Sequence, residues 1–136
     1  MASARRTPQR PPGKRVVLVV DDDRSVRQLT GRLLAELGHE VLVADSGEDA
    51  LRLFASHSRP IELLVTDLVM PGLSGRQLAE RVRQVEPRLP VVYMSGDPTA
   101  VIEPETLPPG IFFLAKPFQA EMLFAVVDEA RRWRGS

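Results

Sequence analysis

Residues 16–20 read Val-Val-Leu-Val-Val, and the three residues that follow are all aspartate. A run this short and this rich in β-branched side chains is a strand, and because it does not alternate with polar residues both of its faces must be buried. A sheet built on such a strand has to be covered by helices on its two sides, which is the layered α/β arrangement with parallel strands. The strand ends abruptly in charge, so its carboxyl end reaches the surface.

The rest of the chain repeats this theme. From Ser25, apolar residues Val26, Leu29, Leu33, Leu34 and Leu37 recur at helical spacing and stop at Gly38, a common helix terminator. Glu40 to Ala44 reads as a second strand, Gly47 to about Ser56 as a helix through Ala50, Leu51 and Phe54, and Ile61 to Thr66 as a third strand with Asp67 at its end. Residues 68–75, LVMPGLSG, form a loop that leads into a helix carrying Leu78, Val82 and Val85. Pro90 to Met94 and Phe112 to Ala115 are the fourth and fifth strands, and Gln119 to about Trp133 the last helix. Strands alternating with helices predict a parallel sheet with right-handed crossovers. His39 and His57 fall in short polar stretches and are expected as surface turn residues.

Composition narrows the function. The chain has 136 residues, enough for one core, and no cysteine, which excludes a disulfide framework and thiolate zinc sites. Its longest apolar run is Met122 to Val127, far short of the roughly 20 residues that cross a bilayer, so the expectation is a cytoplasmic chain with no membrane segment. The zero net charge hides an asymmetry. Residues 1–15 carry Arg5, Arg6, Arg10, Lys14 and Arg15 and no acid, which leaves 13 basic and 18 acidic residues in 16–136. The folded part is therefore acidic, the wrong sign for direct binding to nucleic acid. The start, with three prolines and no apolar stripe, is expected to be a disordered basic tail over 1–14, with one domain over 15–134.

In open parallel sheets, ligands bind beyond the carboxyl ends of the strands. There this sequence puts Asp21, Asp22 and Asp23 after the first strand, Asp67 after the third, Ser95 after the fourth and Lys116 after the fifth. Carboxylates brought together in this way repel one another unless a hard divalent cation sits among them, and Mg²⁺ suits carboxylates, waters and phosphate oxygens. Sixteen of the 18 basic residues are arginine, so a lysine at 116 points to a need for a compact ammonium. Carboxylates, cation, hydroxyl and ammonium together make a phosphoryl-transfer site whose nucleophile is a carboxylate.

The strings VVDDD, TDLVMPGLSG, YMSG and AKPF, in this order and spacing, resemble the receiver domain of two-component response regulators, and the resemblance runs over about residues 15–133. It implies a flavodoxin-like, doubly wound five-stranded sheet of order 2-1-3-4-5 with helices on both faces. It also implies Asp67 as phosphoacceptor and Asp21, Asp22, Asp67 and the Val69 carbonyl as ligands of Mg²⁺, with Mn²⁺ as a substitute. Ser95 and Lys116 then bind the phosphoryl group, Phe113 occupies an aromatic switch position, and Pro117 follows a cis peptide bond. The implied activity is acceptance of a phosphoryl group from a histidine kinase or histidine phosphotransfer protein, with catalysis limited to the domain's own phosphorylation and dephosphorylation. The implied state is a monomer or weak dimer, either free-standing or part of a hybrid sensor kinase.

Two departures stand out. Val69 is apolar where many relatives are polar, and residues 96–110, GDPTAVIEPETLPPG, hold four prolines where relatives have a fourth helix. An interior proline costs a helix about 3 kcal/mol, so that helix is expected to be shortened or absent. The rival reading is a haloacid-dehalogenase-type phosphatase using Asp21 and Asp23. It needs a second acidic pair after the lysine, where only Glu121, Asp128 and Glu129 occur, all inside a predicted helix.

Overall fold

The computed structural model describes residues 15–97 and 107–135. In chain order its elements are β1 (Val16–Val20), α1 (Arg24–Glu36), β2 (Glu40–Ala44), α2 (Gly47–Ser56), β3 (Leu63–Asp67), α3 (Gly75–Val85), β4 (Val91–Ser95), β5 (Ile111–Ala115) and α4 (Ala120–Gly135). The strands form one parallel sheet in the order β2-β1-β3-β4-β5, so β1 and β3 are neighbours at its centre.

Every residue of β1, β3 and β4 is buried, as continuous apolar strands require. Alternate side chains divide between two cores. Val16, Leu18, Val20, Leu64, Val91 and Tyr93 pack with Ala50 of α2 and Leu78 and Val82 of α3. Val17, Val19, Leu63, Val65, Val92 and Met94 pack with Leu34 of α1 and Leu123, Val127 and Ala130 of α4. Helices thus cover both faces.

Local chemistry sets the helix boundaries. The Asp23 carboxylate accepts from the backbone N–H groups of Ser25 and Val26 and caps α1, a more specific role than that of a first-turn acid. Ser74 and Gln77 form a reciprocal capping box at α3. Gly38 ends α1 with φ +96°, a conformation that a side chain disfavours.

Two expectations change. Val85, Leu29 and Leu37 lie on the predicted apolar stripes, yet they are 75%, 44% and 46% exposed. His39 is no surface residue: it is 5% exposed. The fourth helix present in chain order is α4. The segment expected to have a shortened or absent helix lies mostly in 98–106, outside the described residues, and from Leu107 to Gly110 the backbone runs through a bend and a turn into β5. The basic tail over 1–14 also lies outside the described residues.

Candidate functional site

Parallel pairing of β1 with β3 brings the ends of both strands to one edge of the sheet. Asp67 is the last residue of β3, and Asp21 directly follows β1. Asp21 is fully buried and Asp67 is 9% exposed, while Asp22 faces solvent. Each of these three acids offers a carboxylate oxygen, and the three oxygens lie within 4.8 Å of one another.

The single ammonium among them is Lys116, just past β5. Its Nζ lies 3.0 Å from Asp21 Oδ2, to which it donates, and 3.5 Å from Asp67 Oδ2. The peptide bond from Lys116 to Pro117 is cis, and the Lys116 N–H donates to the Ser95 carbonyl at 2.8 Å. Burial works against the charge on Lys116, but the hydrogen bond and charge of Asp21, joined by Asp67, outweigh it and push the ammonium above its usual pKa. Asp67 goes the other way from a normal carboxylate. Burial raises its pKa, the neighbouring Asp21 and Asp22 raise it further, and Lys116 only partly offsets them.

Second contacts hold this geometry. Asp21 Oδ1 accepts from the Asp23 N–H at 2.9 Å, and Arg27 donates to the Asp21 carbonyl at 2.8 Å. The loop after Asp67 is closed by the Gly75 N–H on the Leu68 carbonyl at 2.9 Å. A Cβ at Gly75 would stand 2.0 Å from the Asp67 carbonyl oxygen, so only glycine permits this approach. Glu48 at the start of α2 accepts from the Leu73 N–H at 3.2 Å and braces the loop from the other side. Arg27, Glu48 and the close approach of Gly75 are not evident from spacing alone, because each partner comes from a different element.

The remaining expected residues sit around this centre. Ser95 ends β4 and is 4% exposed, and its Oγ accepts from the Asp97 N–H at 3.1 Å. Val69 lies in the loop after Asp67 and is 63% exposed. Phe113 is half-buried, pairs in register with Tyr93 and packs toward the α2/α3 core with Leu107. It is the member of the set farthest back along its strand.

The donor set fits a hard divalent cation. It consists of oxygen ligands alone, three carboxylates close together, with the Lys116 ammonium beside two of them. The phosphatase alternative is not supported. The Asp23 carboxylate is engaged in capping α1, and Glu121, Asp128 and Glu129 are all exposed along α4. Among the described residues, no helix is long and apolar enough to cross a membrane.

Comparison with known proteins agrees with this geometry. The response regulator receiver domain family matches residues 17–128. The chain is 35% identical over 115 residues, 84% of its length, to the DNA-binding transcriptional regulator NtrC of Azospirillum brasilense, of which it covers 24%. It is 42% identical over 85 residues, 62% of its length, to the virulence sensor protein BvgS of Bordetella bronchiseptica, of which it covers 7%. Among solved structures, the receiver domain of the hybrid histidine kinase CckA aligns with a TM-score of 0.72 and 34% identity, covering 85% of this chain and 98% of that one. The chain thus spans about a quarter or less of the curated relatives it matches, and nearly all of an isolated receiver domain.

Proposed function

This chain belongs to the response regulator receiver domain family of two-component signalling, and on that premise we propose that Asp67 is its phosphoacceptor. The donor is the phosphohistidine of a histidine kinase or histidine phosphotransfer protein. The observation that carries this reading is the position of Asp67: a buried strand-end carboxylate between an acidic pair and the one ammonium of the site.

In the transfer, an Asp67 carboxylate oxygen attacks phosphorus, the bond from phosphorus to the donor imidazole nitrogen breaks, and the imidazole leaves with the electron pair. Asp21, Asp22 and Asp67, with the Val69 carbonyl, would hold Mg²⁺ or Mn²⁺, and the bound ion supplies positive charge to the phosphoryl oxygens. Lys116 gives the phosphoryl group a compact charge, and the Ser95 hydroxyl turns from the Asp97 N–H to donate to a phosphoryl oxygen. Phe113 responds through packing alone, since it has no hydroxyl. Receiver domains are phosphoacceptors and not classical enzymes, and catalysis in this chain is confined to gain and loss of its own phosphoryl group. With Val69 beside the site, no side chain at that position orients a hydrolytic water.

The same reading makes 15–134 the phosphoacceptor domain and 1–14 a basic linker or tail of a cytoplasmic protein, acting as a monomer or weak dimer. Direct contact with nucleic acid would belong to a separate output domain, as the name of the NtrC relative suggests for that protein.

The test is to incubate the full chain with acetyl phosphate and Mg²⁺ and map the acyl phosphate by mass spectrometry. The label is expected on Asp67 and should vanish in Asp67→Asn and in excess chelator. Undiminished label in Asp67→Asn would refute the assignment.

A further inference from the structure

At the opposite, amino end of the sheet the chain buries a second polar cluster that phosphoryl transfer does not use. His39, in the turn between α1 and β2, is 5% exposed, and neither ring nitrogen has a hydrogen-bond partner in the protein. Its backbone is fixed by its N–H on the Leu34 carbonyl at 3.2 Å. Its side chain lines a small cavity with Arg15 at the start of β1, Glu62 and Leu63 at the start of β3, and Arg131 and Arg134 of α4. The Nε of Arg15 and the Nε of Arg131 are buried there and also lack partners.

Guanidinium groups carry donors only and stay charged, and a neutral imidazole adds one more donor. The orphaned groups thus hold at least three N–H donors and at most one acceptor, the bare imidazole nitrogen. The charges among the described residues are equally lopsided: Arg15, Arg131 and Arg134 line the cavity with one carboxylate, Glu62, which already accepts from Arg15 at 3.1 Å, while Arg134 also donates to the Arg88 carbonyl at 3.4 Å. Buried donors without acceptors are costly, and only a group that brings both negative charge and lone pairs answers the two deficits together. Size then selects among anions. The cavity is small, about 10 Å³, which suits a single group of about the size of a water molecule.

We propose that this cavity is a binding site for a single monatomic anion of the halide class, held by His39 and the Nε–H groups of Arg15 and Arg131. Bound there, the anion ties the last turns of α4 to the starts of β1 and β3. Burial pulls the His39 pKa down, and Arg131 and Arg15 add to this against a weaker upward pull from Glu62. No titratable group of α1 lines the cavity among the described residues. An anion in the cavity reverses part of that balance, so halide binding and protonation of His39 must favour each other reciprocally.

The test uses the full chain with nitrogen-15-labelled imidazoles, titrated by NMR in sodium chloride and in sodium gluconate at equal ionic strength. His57, whose Nε2 lies 3.4 Å from Glu40 Oε2 outside the cavity, is the internal control. The expected result is a saturable rise of the His39 midpoint in chloride only, with His57 alike in both salts, and a weaker rise in Arg131→Gln. A rise of one pH unit corresponds to about tenfold tighter chloride binding to the protonated form. Independently, crystals of the full chain grown with bromide should give an anomalous peak beside His39. A His39 midpoint that is the same in both salts, a shift shared equally by His57, or a cavity holding water alone in bromide would overturn the proposal.

Discussion

Replacing Asp67 by asparagine should make the protein more stable at neutral pH in the absence of divalent cations. Lys116 Nζ stands 3.5 Å from Asp67 Oδ2, an attraction of about 5 kcal/mol at an effective dielectric constant of about 20. Asp21 and Asp22 each present an oxygen within 4.8 Å of it, and each repels it by about 3.5 kcal/mol or more on the same scale. The two repulsions exceed the attraction by about 2 kcal/mol before desolvation, which acts in the same direction. Asparagine keeps the shape and removes the charge, so the expected gain is about 2 kcal/mol, or a rise in Tm of about 8 °C for a domain of this size.

The pH dependence follows from the raised pKa of Asp67. A carboxyl that holds its proton more tightly when folded imposes no penalty below the ordinary carboxylate range, and the penalty grows as pH rises through the folded value. The advantage of Asp67→Asn should therefore be largest above the raised folded pKa, shrink as pH falls through it and be gone below about pH 4. Urea unfolding of both proteins across that range, in chelator, measures it. Adding Mg²⁺ should close the gap at pH 7 by stabilising the wild type more, because a ligand that binds only the folded state adds to its stability. If Asp67→Asn were no more stable than wild type at pH 7 in chelator, the charge count at this site would be wrong.

Other substitutions probe the supports. Lys116→Met leaves the fully buried Asp21 without its counter-charge and should cost about 3–5 kcal/mol by urea unfolding, whereas a loss under 1 kcal/mol would show that other groups carry Asp21. Lys116→Arg should retain much of that stability yet lose phosphorylation-dependent output, since a guanidinium fork replaces a compact charge; matched stability and output would remove the special role of the ammonium. Gly75→Ala forces a Cβ to within 2.0 Å of the Asp67 carbonyl oxygen and should cost about 3 kcal/mol while slowing labelling by acetyl phosphate, and normal labelling rates would contradict the geometry. Trp133 lies with Arg88 at 5.1 Å and Arg83 at 5.8 Å from its ring, so Trp133→Ala should lower stability by about 2 kcal/mol as followed by circular dichroism.

The acidic site was legible because its residues stand immediately after apolar runs, and a parallel sheet must deliver such positions to one edge. The sheet order was not readable from periodicity. It rested on the four strings that resemble the receiver family, and pairing of β1 with β3 is what brings Asp21 to Asp67. Spacing misjudged Val85 and Leu37, the last residue of α3 and the cap of α1, because a helical stripe does not reveal where its packing stops. It misjudged His39 for a related reason: a polar residue after a glycine looks like a surface turn, and its burial involves Arg131 and Arg134 of α4, far along the chain. Arg27, Glu48 and Arg83 were equally hidden. Each acts on a carbonyl or N–H supplied by another segment, as when Arg83 donates to the carbonyls of Pro87 and Pro109.

The site couples two properties that pull in opposite directions. Burial, and after it the surplus of carboxylates over the one lysine, raises the Asp67 pKa, and the same surplus makes the centre fit for a divalent cation. On the proposed reading, phosphorylation adds still more negative charge to Asp67, so Lys116 must give part of its interaction with Asp21 to the phosphoryl oxygens. The Lys116 backbone N–H donates to the Ser95 carbonyl at 2.8 Å, so any shift of its main chain would carry the end of β4 with it. Ser95 in turn ends β4, directly before the segment that leads to β5. On the same reading, a charge change at Asp67 would pass first along the ends of β4 and β5, through that backbone hydrogen bond and the Ser95 hydroxyl, and would reach Phe113 through the packing of those two strands.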